Sequence, residues 1–114
     1  MPFDIQITED DQRQLRSLTA REQRIVENAV MAKLVNEPTK ISRAIKQLRP
    51  NPFAQYELRA GGLRVLYNVE GTNVVLLIVG RKIGNRLVVE GVEFHGHQDN
   101  PAQQPGGQSQ GDAE

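Results

Sequence analysis

Between residues 55 and 69 the chain reads QYELRAGGLRVLYNV, with Arg59 and Arg64 on either side of a Gly61-Gly62 pair. A guanidinium offers a rigid fork of donors and stays charged, which suits it to phosphate oxygens. The two glycines predict a tight hairpin loop, and that loop sets Arg59 opposite Arg64. Like charges facing each other across a sheet destabilise it by up to about 1 kcal/mol per pair. An anion between the two turns that repulsion into attraction, and phosphate is the anion their chemistry favours. The other reading is an ordinary surface network in which Glu57, diagonal to Arg64, absorbs the charge.

The same hairpin pairs Leu58 with Val65 and Tyr56 with Tyr67, an aromatic and aliphatic core face. If Gly71-Thr72 forms the next loop, Val65 faces Ile78, Tyr67 faces Leu76, Leu66 faces Leu77, Arg64 faces Val79 and Arg81 lies opposite Gly62. Arg59, Arg64 and Arg81 then converge at one end of one sheet face. That face also carries Leu66, Val75, Leu77 and Val79, an apolar stripe that needs a cover from this domain or from a partner protein. Slipping either loop by one residue inverts these assignments.

Net charge is zero, with 14 basic and 14 acidic residues, but its distribution is uneven. Residues 33–86 hold ten bases against three acids. Lys46, Arg49, Lys82 and Arg86 belong to this run and extend the expected surface for phosphate or RNA, alongside Arg59. The chain has no cysteine, which excludes disulfides and thiolate metal sites. His95 and His97 in "HGH" make at most a weak metal pair, so no metal or cofactor is expected. "GRKIG" at 80–84 lacks the spacing of a phosphate-binding loop. No basic and apolar leader opens the chain and no apolar run reaches the length of a membrane span. A cytoplasmic protein without membrane contact is the simplest expectation.

The elements that must position these side chains fall in two halves. Phe3, Ile5 and Ile7 alternate with polar residues as a short strand. Thr8 caps a first helix whose opening acids, Glu9, Asp10 and Asp11, suit the positive helix end. Thr19-Ala-Arg-Glu22 reads as a capping box for a second helix, striped by Ile25, Val26, Ala29, Val30 and Leu34 and stopped near Pro38. Ile41, Ala44, Ile45 and Leu48 predict a short helical stripe. Strands follow at 53–59, 63–69, 74–81 and 86–94. The order predicts an α+β domain over residues 1–94: an N-terminal strand and helical hairpin packed on an antiparallel, strongly twisted sheet of four to five strands. Residues 95–114 hold no aliphatic side chain larger than Ala and no aromatic, and are expected to form a disordered tail.

With "FDIQIT", the helical hairpin, "AIKQLRPNP" and "YELRAGGLRVLYNVEGTNVVLLIVGRK" in view, residues 3–94 resemble the RelE/ParE superfamily of bacterial type II toxin–antitoxin toxins. The resemblance implies a RelE-like fold and a cognate antitoxin as partner. In the RelE branch it further implies metal-independent cleavage of mRNA on the ribosome, so ribosome and mRNA become partners. Arg64 falls on the family's strand arginine, and Arg81 or Lys82 on its basic position after the third sheet strand. The chain departs from that branch at Gln55 and Glu57, where two lysines are usual, and at Val88 or Val89, where a C-terminal tyrosine is usual. Arg64, Arg81 and Glu57 are the catalytic candidates, Glu57 as base and His95 or His97 as acid. The alternative is a ParE-like inhibitor of DNA gyrase, or a member that binds its antitoxin without catalysis.

Overall fold

Two threonines set where the helices begin. Thr8 Oγ1 accepts from Asp11 N at 3.1 Å and donates to Leu76 O at 3.2 Å, so it caps α1 (Glu9–Arg16) and ties it to the sheet. Thr19 and Glu22 close a reciprocal capping box on α2 (Ala20–Ala29). A single π-helical turn, Val30–Leu34, continues α2 and buries Val30 and Leu34. The structure, a computed structural model, describes residues 2–94. The segment expected to be a disordered tail, with His95 and His97, lies outside the described residues.

The strands are β1 (Asp4–Ile7), β2 (Ile45–Gln47), β3 (Tyr56–Ala60), β4 (Leu63–Glu70), β5 (Asn73–Ile83), β6 (Arg86–Val89) and β7 (Val92–Glu93). They form one sheet in the order β2-β3-β4-β5-β6-β7, antiparallel throughout, and β1 joins β5 in parallel. The α+β class holds, with seven strands where the pattern predicts four to five. β1 pairs with residues 73–76 and β6 with residues 81–83, so the two share one edge of β5. In the gap between them, Gln14 Oε1 accepts from Val79 N at 2.8 Å and stands in for a strand partner.

The predicted helical stripe at 41–48 is instead β2. Ser42 Oγ accepts from the backbone of Ala44 and Ile45, a local bond that competes with helix formation. Ile45 then pairs with Leu58. Ile45 is buried in the core under the helices, Leu48 in a second core on the opposite side, and Ile41 is exposed. A helix would have put all three on one face; the strand separates them.

The β3–β4 hairpin has the predicted register, including Tyr56 opposite Tyr67 and Arg59 opposite Arg64. The two tyrosine rings stack with centroids 5.4 Å apart, and Tyr67 Oη donates to Pro38 O at 2.5 Å. Between β4 and β5 the predicted register holds from Tyr67–Leu76 onward, then slips at Leu66/Tyr67. Beyond this bulge Val65 meets Val79, Arg64 meets Gly80 and Leu63 meets Arg81. One added residue turns every later side chain of β5 over. Val79 therefore packs into the helix-side core, not the outer stripe. The outer stripe finds its cover within the domain: Leu66 packs with Leu48, Ala54 and Leu87, flanked by Leu77, Ile78, Val89 and Phe94.

Candidate functional site

Strand alternation sorts the candidate cations onto two sides of the sheet. Arg64 lies between Arg59 and Gly80 in one cross-strand row, and Lys46, Glu57 and Leu66 form the next. Leu66 belongs to the outer core, so both rows face away from the helices. Lys82 follows two residues after Gly80 and pairs with Leu87 of that same core, which places it on the outer side too. Lys46, Arg59, Arg64 and Lys82 are thus brought to one face.

Arg81 is not. The bulge sends it to the helix side, where Nη2 meets Glu22 Oε1 at 2.6 Å and Nε meets Oε2 at 2.9 Å. The expectation that Arg81 converges with Arg59 and Arg64 is corrected by this register slip. The hydrogen bonds from Arg81 hold the Glu22 carboxyl down to about 2, aided by the backbone of Thr19. Arg86 sits at the β5–β6 turn opposite Ile83, exposed, with Glu93 at 3.7 Å. Arg49 is exposed in the loop after β2, its carbonyl accepting from Asn51 Nδ2.

Glu57 is fully buried, with Oε1 3.6 Å from Arg59 Nε and its backbone opposite Lys46. Its carboxylate is sealed within the sheet, with the exposed Arg59 as its charged neighbour. Arg64 curls over the hairpin, Nη1 donating to Gly61 O and Leu63 O at 2.8 Å each. Its Nε–H is shut away from solvent and meets no acceptor among the described residues. Gly80, the row's third member, has to be glycine: a Cβ there would lie 2.5 Å from Val88 O.

Two residues that matter were not among the sequence candidates. Glu22 was visible as a capping residue, but its second role needs the bulge. Asp11 is fully buried near the start of α1, and neither carboxylate oxygen finds a hydrogen-bond partner among the described residues. Burial pushes its carboxyl up to about 7. No group of metal-ligating side chains occurs among the described residues, and no helix among them is long and apolar enough to cross a membrane.

An α+β sheet with a helical hairpin packed on one side is consistent with a RelE-like fold. No family model matches the chain, and no curated protein matches it. Solved structures do match. One is the crystal structure of the toxin–antitoxin complex RelBE2 from Mycobacterium tuberculosis, 28% identical over 72% of this chain and 100% of that chain, with a TM-score of 0.62. Fold and likeness together support a RelE-like toxin.

Proposed function

We propose that this protein is the toxin of a type II toxin–antitoxin module and acts on ribosome-bound mRNA, with the RNA backbone lying on the outer side of the sheet. The observation that carries the reading is the cross-strand row that sets Arg59 directly opposite Arg64 on the outer face of the sheet. Lys46 and Lys82 widen the same positive surface. A phosphate oxygen is the acceptor such a surface attracts.

The reaction is transesterification. The ribose 2′-oxygen attacks the adjacent phosphorus, a P–O bond forms, and the bond to the 5′-oxygen of the next nucleotide breaks. Negative charge on the phosphoryl oxygens rises on the way, and Arg59 and Arg64 stabilise it. The 2′-hydroxyl proton passes to a water molecule, and the departing 5′-oxygen takes one from the acid. Glu57 acts through its charged neighbour Arg59 in this scheme, while Arg81, held by Glu22 on the helix side, takes no part in it. His95 or His97, which follow Phe94, are the proposed acid. No metal or cofactor enters the scheme. An antitoxin is the proposed protein partner, since the RelBE2 neighbour is itself a toxin–antitoxin complex. The cytoplasm is the proposed location.

One observation favours a second reading, ParE-like inhibition of DNA gyrase. Glu57 and Arg81, both catalytic candidates, are already engaged by Arg59 and Glu22. Inducing the protein in bacteria while labelling new protein and new DNA separates the two. Rapid loss of translation with cleaved transcripts is the expected result, and an Arg64→Ala chain is expected to lose that effect while keeping its melting temperature. Loss of replication with a DNA-damage response points to gyrase, and unimpaired growth removes both readings.

A further inference from the structure

Phe53 keeps 42% of its surface exposed although it stands beside the outer core. The turn that carries it is rigid. Asn51 Oδ1 accepts from Phe53 N at 2.7 Å and Ala54 N at 3.0 Å, while its Nδ2 donates to Arg49 O at 2.7 Å and Ala54 O at 2.9 Å. Ala54 is pinned in the outer core with Leu48, Leu66 and Leu87. The Phe53 ring meets Phe94 edge to face, centroids 5.4 Å apart at 79°. Phe94 N donates to Leu87 O at 2.7 Å, and Leu87 is the register partner of Lys82. Strands lie about 4.8 Å apart, so Lys82 and Phe94 are about 10 Å from each other across two strand spacings. A braced, solvent-facing aromatic thus stands on the same side of the sheet as Arg59, Arg64 and Lys82.

An exposed aromatic on the same sheet face as a row of cations is an arrangement by which proteins hold single-stranded nucleic acid: cations take the backbone and the ring takes a base face. We propose that Phe53, braced by Phe94, is a stacking platform for one base of a single-stranded RNA whose backbone lies along Arg59, Arg64 and Lys82. This rests on the RNA reading above and adds to it a residue that no cation argument reveals. The positive neighbours select RNA as the occupant over an apolar protein segment. Stacking also makes the subsite tolerant of base identity, since every base has a π face.

The chain contains no tryptophan, so Phe53→Trp in the full chain creates a single fluorescent reporter. Titration with a short single-stranded RNA oligonucleotide is expected to quench that emission. Phe53→Leu keeps an apolar contact with Phe94 and is expected to melt like the parent yet bind the oligonucleotide about tenfold more weakly. If Phe53→Leu binds as tightly as the parent and the indole emission of the Phe53→Trp chain stays constant, while Arg64→Ala weakens binding, stacking is overturned and the phosphate face survives. If emission responds to an added protein partner but not to RNA, the surface is a protein contact and the proposal is overturned. If the parent chain binds no RNA at all, the proposed function fails first and takes this subsite with it.

Discussion

Glu22 grips Arg81 with both carboxylate oxygens on the helix side of the sheet, while Arg64, one strand away, faces the other side. The same carboxylate accepts from Thr19 N in the capping box. One side chain therefore closes a helix start and fastens that helix to β5.

Glu22→Gln is expected to lower stability at neutral pH by about 1 kcal/mol, the scale of a partly exposed ion pair. The Glu22 carboxyl is lowered from 4.5 to about 2 in the folded chain. A depressed acid contributes stability above its unfolded value and loses it as pH falls. The gap between parent and variant melting temperatures is therefore expected to be full above pH 4.5 and to close on the way down to about pH 2. A gap that stays constant over that window means that the pair contributes nothing.

Asp11 works in the opposite sense. Its carboxyl is raised from 3.8 to about 7 by burial. The unfolded chain gives up this proton more readily, so stability is expected to fall as pH climbs through that window. Asp11→Asn removes the charge, and its advantage over the parent is expected to grow with pH, reaching about 1–3 kcal/mol once the parent carboxyl is ionised. Urea melts across the window check this; a pH-independent difference refutes it.

Glu57→Ala is expected to destabilise the chain by about 2 kcal/mol, because it opens a void in the sheet between β2 and β4. Chemical denaturation measures it directly. A loss under about 1 kcal/mol would mean that Glu57 is held for chemistry and not for packing.

Gly80→Ala places a methyl group 2.5 Å from Val88 O and 3.0 Å from Val89 Cγ2. Backbone cannot yield as a side-chain tip can, so a cost of about 1–3 kcal/mol is expected, with loosened β5–β6 pairing. Amide exchange of the β6 residues is the measurement; unchanged protection there contradicts the close approach.

Signals that act over a few residues were legible in the sequence: both helix caps, the tyrosine pair and the Arg59–Arg64 register follow from local pattern and turn chemistry. The bulge at Leu66/Tyr67 was not, because Leu66, Leu77, Ile78 and Val79 are all apolar and satisfy either register equally well. That single ambiguity decided the side on which Arg81 emerges. The β2 strand was hidden for a related reason. Ile41, Ala44, Ile45 and Leu48 have helical spacing, but Ile45 and Leu48 serve two different cores, and nothing in the spacing reveals two. The outward placement of Phe53 was not legible, because it depends on the Asn51 turn that bonds Phe53 N and Ala54 N.

The shared edge of β5 dictates the order in which the chain can be completed. Asp4 has to wait for Asn73 before the first strand finds its hydrogen-bonding partner, and the closing β6 comes later still. During synthesis the two helices emerge early, with the apolar surface they will bury still lacking its floor. Closure between such distant parts of a chain is slow relative to local helix formation. A nascent copy on the ribosome thus keeps β1 without its strand partner until residues 73–76 have left the exit tunnel.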